Sequence, residues 1–379
     1  MKKLLCMLLA ALMVLTMASF AMAEEAASYK IAILTGTTSQ GEEEFTAASK
    51  LAEENPGVVL HDTYPDNFSS EVETTISKLI AFASDPDVKA IIFVQAVQGA
   101  VSAFTQIRDS LGRDDILLIA GVPAEDPADI SAAADIVLAV DEIGCGYQVA
   151  DKAAEWGCDV IVHYSFARHL SYETIVAKRD AMKMTAEGYG IEFVERDCPD
   201  PTGDAGMSGA QAAVLEDVPK VMQEYAGKKV CFYCTNCGIQ VALQQAVLAA
   251  GDDAYYALPC CPSPFHGYQE AFGLDATYGD VEGAITNLAN FLNESGAAGR
   301  FSTWAIPVNM SMINASYEYA CAYAEGKIEK VDEAFLTQCF SEAAGSEAIL
   351  GKYTNATGEE LANYYLIQFS PIDFNDYIG

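Results

Sequence analysis

Arg168 and His169 stand side by side directly after an apolar run, Val160-Ile-Val-His-Tyr164, that has the β-branched pattern of a buried parallel strand. A guanidinium held at a strand end can clamp a carboxylate or phosphate through paired hydrogen bonds, and an imidazole beside it adds a second polar contact. The structural alternative is that Arg168 pairs with a carboxylate from another part of the fold and His169 caps the next helix. A second group is thiol-based. Cys231, Cys234 and Cys237 follow a C-x-x-C-x-x-C spacing, and Cys260-Cys261 come after the next predicted strand. Strand ends in one sheet lie close together, so a zinc or iron–sulfur site is geometrically conceivable. Cys231 and Cys234 have opposite parity in a strand and point to different faces, however. Cys234 and Cys237 are better placed, at a strand end and a helix start, as in redox-active C-x-x-C sites. Unpaired thiols, a structural disulfide and a metal or redox site all remain open.

A third group consists of polar residues at strand ends: Thr37, Thr38, Ser39 and Gln40, then Gln95 and Gln98, then Asn236 and His266. Planar amides and hydroxyls with aromatic faces suit a sugar or nucleoside. Phe265, Tyr268 and Trp304 supply such faces, or else they fill the core. The ligand-contact set expected from the sequence is Thr38, Ser39, Gln40, Gln95, Arg168, His169 and Asn236. No catalytic residue, metal ligand or cofactor is assigned. G-x-S-x-G, H-E-x-x-H, the Walker loop and the dinucleotide fingerprint are all absent, and the four histidines are scattered.

The elements that must position these groups alternate. Apolar runs at 29–35, 58–64, 88–94, 115–120, 136–140 and 160–164 read as strands, with amphipathic segments between them at 42–54, 69–84 and 146–156. The alternation starts again after His169, with helices at 172–187, 209–225 and 238–250 and strands at 191–196, 229–234 and 255–258. A helix at 281–293, a strand at 301–306, a helix at 310–324 and a tail strand at 364–369 complete it. Strand–helix alternation implies α/β architecture with parallel sheets and right-handed crossovers. Two such series without a flexible linker predict two Rossmann-like lobes facing across a cleft. The expected division is 29–166 plus about 307–328 for the N-terminal lobe, and 167–306 plus about 329–379 for the C-terminal lobe. Crossings are expected at 165–168, near Ile306-Pro307 and after Gly326.

Lys2-Lys3, the apolar run Leu4 to Ala18 and Ala21-Met22-Ala23 have the order of a secretory signal peptide, residues 1–23. The run is short for a membrane span, and no small-residue box precedes Cys6. The expected location is therefore secreted or periplasmic, with a cleaved leader and without a membrane-spanning segment. The formal charge of −33 opposes contact with nucleic acid or anionic lipid. The 379 residues, 51% hydrophobic and 20% charged, allow two ordinary cores.

This order of elements resembles the type I periplasmic binding proteins, particularly the sugar-binding branch. Val140-Asp-Glu-Ile-Gly-Cys-Gly146 is similar to that family's strand, acidic residue and glycine-containing helix start. Cys234-Thr-Asn-Cys237 sits where the family often has an Asn-Asp pair, with Cys237 replacing the Asp. A closer resemblance is to the bacterial family designated domain of unknown function 3798, carried by Arg168-His-Leu-Ser-Tyr-Glu173 and Lys178-Arg-Asp-Ala-Met-Lys183. The resemblance implies a non-enzymatic, exported solute-binding protein that captures a small polar ligand by lobe closure. That ligand would be a sugar, a nucleoside or a small carboxylate-like molecule. Partners would be that ligand and a membrane permease or sensor, with no nucleic acid. The alternative is a secreted enzyme using the cysteine cluster for thiol redox or metal-dependent chemistry.

Overall fold

Residues 31–34 and 90–94 are apolar throughout because both faces of their strands are covered. The computed structural model describes residues 29–275, 280–355 and 358–379; the leader-like segment 1–23 lies outside them. The chain begins β1 Lys30–Thr35, α1 Glu42–Glu54, β2 Val59–Thr63, α2 Val72–Ser84, β3 Val88–Val94, α3 Ala100–Asp109, β4 Leu117–Gly121, α4 Pro127–Ala133 and β5 Ile136–Val140. A second series runs α5 Gly144–Glu155, β6 Val160–Ser165, α6 Glu173–Gly188, β7 Glu192–Asp197, α7 Gly206–Glu224, β8 Val230–Cys234, α8 Cys237–Ala250 and β9 Ala254–Tyr256. It ends with α9 Tyr268–Phe272, α10 Val281–Glu294 and β10 Ser302–Thr303. Last come α11 Val308–Ala324, α12 Glu333–Ala344, β11 Ala348–Thr354, β12 Glu360–Phe369 and β13 Ile372–Asp373.

Two main sheets result. The first has the order β11-β12-β5-β4-β3-β1-β2, and the second β7-β6-β8-β9. All pairings in both are parallel except β11 with β12. Each sheet is sandwiched between two apolar clusters. Ile31, Ile92 and Ile119 face one side of the first sheet, and Ala32, Ile91 and Leu118 the other. Val162 and Phe232 face one side of the second sheet, Ile161 and Cys231 the other. The architecture is two doubly covered α/β lobes, as the alternation predicts.

The division of the chain differs from the expected one. Val160–Ser165, assigned to the N-terminal lobe from sequence, pairs with β7 and β8 and is central to the second sheet. Residues 348–369, assigned to the C-terminal lobe, belong to the first sheet, where β12 pairs with β5. Leu336, Cys339 and Phe340 of α12 pack into that same core, so the chain does not cross after Gly326. A buried strand's pattern records that both faces are covered and is silent about which strand lies beside it. The first crossing falls at 141–143 instead of 165–168, the second at 304–307, near Ile306-Pro307 as expected, and the third at 370–371, after which β13 pairs with β10.

The first crossing is held on the second-lobe side. Asp141 Oδ1 accepts from the Gly144 backbone N–H at 2.7 Å, and the Glu142 carboxylate pairs with Lys178, which is 4% exposed. Gly146 lets α5 and α6 approach closely, because a Cβ there would lie 2.3 Å from the Lys178 carbonyl oxygen. Among the described residues, no helix is long and apolar enough to cross a membrane.

Candidate functional site

The strand ends of both lobes meet at a cavity of about 360 Å³. Its first-lobe wall is formed by Gly41 to Glu44 at the start of α1, by Gln95 and Val122 just past β3 and β4, and by Val308 and Asn309 of α11. Its second-lobe wall is formed by Cys261, Pro262, Ser263 and His266, from the loop after β9. Ligands of open α/β sheets bind at such carboxyl ends of strands.

The first wall is acidic and strained. Gln95 and Val122 have φ of 53° and 47°; among the described residues they are the non-glycine positions with positive φ. For β-branched Val122 this is a genuine outlier. Each such residue costs on the order of 1–3 kcal/mol and persists only where its surroundings over-determine it. Here the Val122 N–H donates to the Leu138 carbonyl at 2.7 Å, and the Ala96 N–H to Gly121 at 2.9 Å. The Gln95 amide reaches the Glu44 carboxylate, which is 1% exposed, and Asn309 Nδ2 donates to its other oxygen at 3.4 Å. Glu43 faces the opposite lobe, where Ser263 Oγ donates to it at 2.8 Å. Burial pushes the Glu43 carboxyl up to about 7, against that hydrogen bond.

The second wall carries sulfur. Asn236 caps α8, its Oδ1 accepting from the Gly238 N–H at 2.8 Å, and so fixes Cys237 in the first turn. Cys237 Sγ lies 2.7 Å from Cys261 Sγ and 3.5 Å from Cys260 Sγ. Cys237, Cys261 and a ring nitrogen of His266 all lie within 4.8 Å of one another. Hydrogen bonds from Cys260 and Cys261 hold the Cys237 thiol well below its ordinary range, and hydrogen bonds to Cys237 and Cys261 raise His266 to about 10. Cys260, hydrogen-bonded by Cys234 and its neighbours, is pushed well up and stays a thiol. This wall brings two cysteine sulfurs and an imidazole together.

The loop that carries these groups is clamped from beneath. Gln240 is fully buried; its Oε1 accepts from the Cys260 N–H at 2.6 Å, and its Nε2 donates to the His266 carbonyl at 2.8 Å. Trp304 Nε1 donates to the Pro259 carbonyl at 3.2 Å and Thr303 Oγ1 to that of Pro264 at 2.6 Å. Gly267, at φ 76°, passes so close to Gln240 that a Cβ would sit 2.6 Å from its Nε2.

The residues expected from sequence are distributed unevenly around this cavity. Gln95 lines it. Ser39 turns toward the neighbouring loop after β2 and donates to Asp66 at 3.0 Å; Gln40 Nε2 donates to the Asp66 carbonyl at 3.4 Å, and Thr38 is exposed. Arg168 is engaged twice by Asp200 of its own lobe, Nε to Oδ2 at 2.6 Å and an Nη to Oδ1 at 3.0 Å, and it does not line the cavity. His169 joins Thr235 Oγ1 at 3.3 Å and Asn236 Nδ2 at 3.1 Å, one step behind Cys237. Phe265, Tyr268 and Trp304 are 3%, 0% and 2% exposed and serve as packing. Glu43, Glu44, Val122, Ser263 and Asn309 were not expected. Three consecutive glutamates in the first turn of a helix read as ordinary partners of its dipole, which hid their place in the cleft.

The family described as protein of unknown function (DUF3798) matches residues 29–302. The chain belongs to that family. An uncharacterized protein of Treponema pallidum (strain Nichols) is 36% identical over 182 residues, 46% of this chain and 81% of that protein. Among solved structures, a protein described as a transcriptional regulator from Clostridium difficile 630 superposes with a TM-score of 0.82 at 19% identity, covering 92% of this chain and 99% of that one. A sugar ABC transporter protein from Actinomyces odontolyticus ATCC 17982 gives 0.51 at 10% identity, covering 80% and 86%. The DUF3798 chain thus has the type I periplasmic binding protein-like fold.

Proposed function

We propose that this DUF3798 protein is an exported solute-binding protein that captures a small polar ligand between its lobes. The observation that carries this reading is the pair of strained residues, Gln95 and Val122, at adjacent strand ends on one wall of the interlobe cavity. Strain of this kind clusters at ligand clamps, and folding alone offers no return on it. Three crossings let the lobes move as bodies, and the Ser263–Glu43 hydrogen bond is a contact made only when they are close.

The lining narrows the solute. Glu42, Glu43 and Glu44 face the cavity, while Arg168 is committed to Asp200 elsewhere. Hydroxyl-rich and amine-bearing molecules, such as sugars or nucleosides, fit this wall better than small carboxylates do. The apolar start of the chain, together with the fold, supports export. A permease or membrane sensor reading the outer lobe surfaces is the partner this implies, and catalysis is not part of the reading.

A thermal-shift screen of sugars, nucleosides, amines and carboxylates tests it. A cognate solute at 100 times its Kd stabilises by about 2.7 kcal/mol through mass action. Glu44→Gln is expected to abolish the shift while the variant remains folded. A shift that persists in Glu44→Gln, or that is produced by carboxylates alone, would move the site away from this cavity.

A further inference from the structure

Cys237, Cys261 and His266 converge on one point at the cavity wall, and nothing in solute capture by hydroxyl and carboxylate groups calls for them. We propose that these three side chains form a binding site for a divalent transition metal of the zinc class, with a fourth coordination position open to the interlobe cavity.

The donor set has the required chemistry. Two cysteine sulfurs and an imidazole are ligands that Zn²⁺ prefers, whereas Ca²⁺ and Mg²⁺ take oxygens. Three protein ligands with one open position is the arrangement in which the metal stays available to a further donor. The spacing fits as well. Around a tetrahedral zinc with Zn–S near 2.3 Å and Zn–N near 2.0 Å, neighbouring ligand atoms stand about 3.5–3.8 Å apart. All three donor atoms here lie within 4.8 Å of one another, so small side-chain rotations bring them to that distance. The Cys237 and Cys261 sulfurs stand 2.7 Å apart with no bond assigned between them, and parting them by about 1 Å gives the spacing of two ligands on one zinc.

A second observation is independent of the thiols. The backbone that bears Cys260 and His266 is fixed at both ends by Gln240, a fully buried amide that reaches the loop through two hydrogen bonds. Gln244, equally buried, adds a donor to the His266 carbonyl at 3.3 Å. Two glutamines buried to hold one loop's backbone constitute the outer support that metal ligands need. On the other side Asn236 fixes Cys237, and His169 stands behind Asn236. Cys261 and His266 line the cavity themselves, which directs the open position toward Glu43 across the cleft.

The test uses the full exported chain, reduced and stripped with a chelator. Titration with Co²⁺ is expected to give one equivalent per chain, a thiolate-to-cobalt charge-transfer band and tetrahedral visible absorption, all reversed by Zn²⁺. Cys261→Ser and His266→Gln are each expected to weaken Co²⁺ binding by more than about 100-fold, beyond the loss an outer-shell change produces. Cys321→Ser, in the other lobe, is expected to bind as the parent does. If a ligand variant fails to fold, alkylation of the parent decides: Zn²⁺ is expected to protect Cys237 and Cys261 and leave the Cys321 rate unchanged. Absence of the charge-transfer band, ligand variants that bind as tightly as the parent, or a Cys237–Cys261 disulfide in protein isolated with its thiols blocked would each overturn the site. Metal uptake is read without solute, so failure here leaves solute capture standing, and the reverse holds too.

Discussion

The two walls of the cleft are built by different means. The first-lobe wall takes its shape from strained backbone at Gln95 and Val122 and sets carboxylates against it. The second-lobe wall has relaxed backbone and takes its shape from buried amides, Gln240 and Gln244, that grip a loop carrying thiols and an imidazole. Strain positions a side chain by closing off its alternatives, whereas a clamp does so by adding bonds. The first wall is therefore tolerant of small losses, and the second depends on single residues.

Removing the clamp is the most severe way to break this contrast. Gln240→Leu keeps the volume but orphans the Cys260 N–H and leaves the His266 carbonyl only the longer bond from Gln244. A loss of about 3 kcal/mol is expected, roughly 1–3 kcal/mol for the orphaned donor and about 1 kcal/mol for the lost bond. Urea denaturation measures it, and Cys260 and Cys261 should become rapidly alkylated in the native state. A variant as stable as the parent would mean that Trp304 and Thr303 alone hold the loop.

A smaller effect comes from Glu43 on the opposite wall. Its carboxyl is raised to about 7 by burial, so the closed form holds its proton more tightly than the unfolded chain does. Unfolded protein releases that proton first, and stability falls as pH rises from about 4.5 through 7. The loss is on the order of 2 kcal/mol, less than the full linkage, because parting of the lobes rehydrates the group. Melting temperatures at pH 5 and pH 8 should diverge in the parent more than in Glu43→Gln. Equal divergence in the two would place the pH response elsewhere. Arg168→Ala should do least: its ion pair is exposed and lies within one lobe, so melting and solute binding are expected to match the parent. A clear loss of solute affinity would return Arg168 to the site.

The alternation of elements was legible because period and burial are local properties of the chain. The pairing of Val160–Ser165 with the second sheet was not, since its six buried residues fit either sheet equally well. The thiols were recognised as a group, and the opposite faces of Cys231 and Cys234 follow directly from strand parity. His266 was counted among the polar strand-end residues, apart from the cysteines, because the turn that brings it back depends on Gln240 some 26 positions earlier. A carboxylate partner for Arg168 was foreseen as an alternative, but its identity was not legible for a similar reason: Asp200 is 32 residues away.

The position of β12 between β11 and β5 has a consequence for biosynthesis. Residues 144–303 hold every strand of the second main sheet and leave the ribosome as one contiguous stretch, able to collapse on their own. The first sheet must wait. Its strands β1 to β5 emerge early, with the edge of β5 unpaired until residues 360–369 arrive more than 200 positions later. During that interval an open parallel edge is exposed to other nascent chains, the circumstance in which holding chaperones matter most. The main sheet that is begun first is therefore the one completed last.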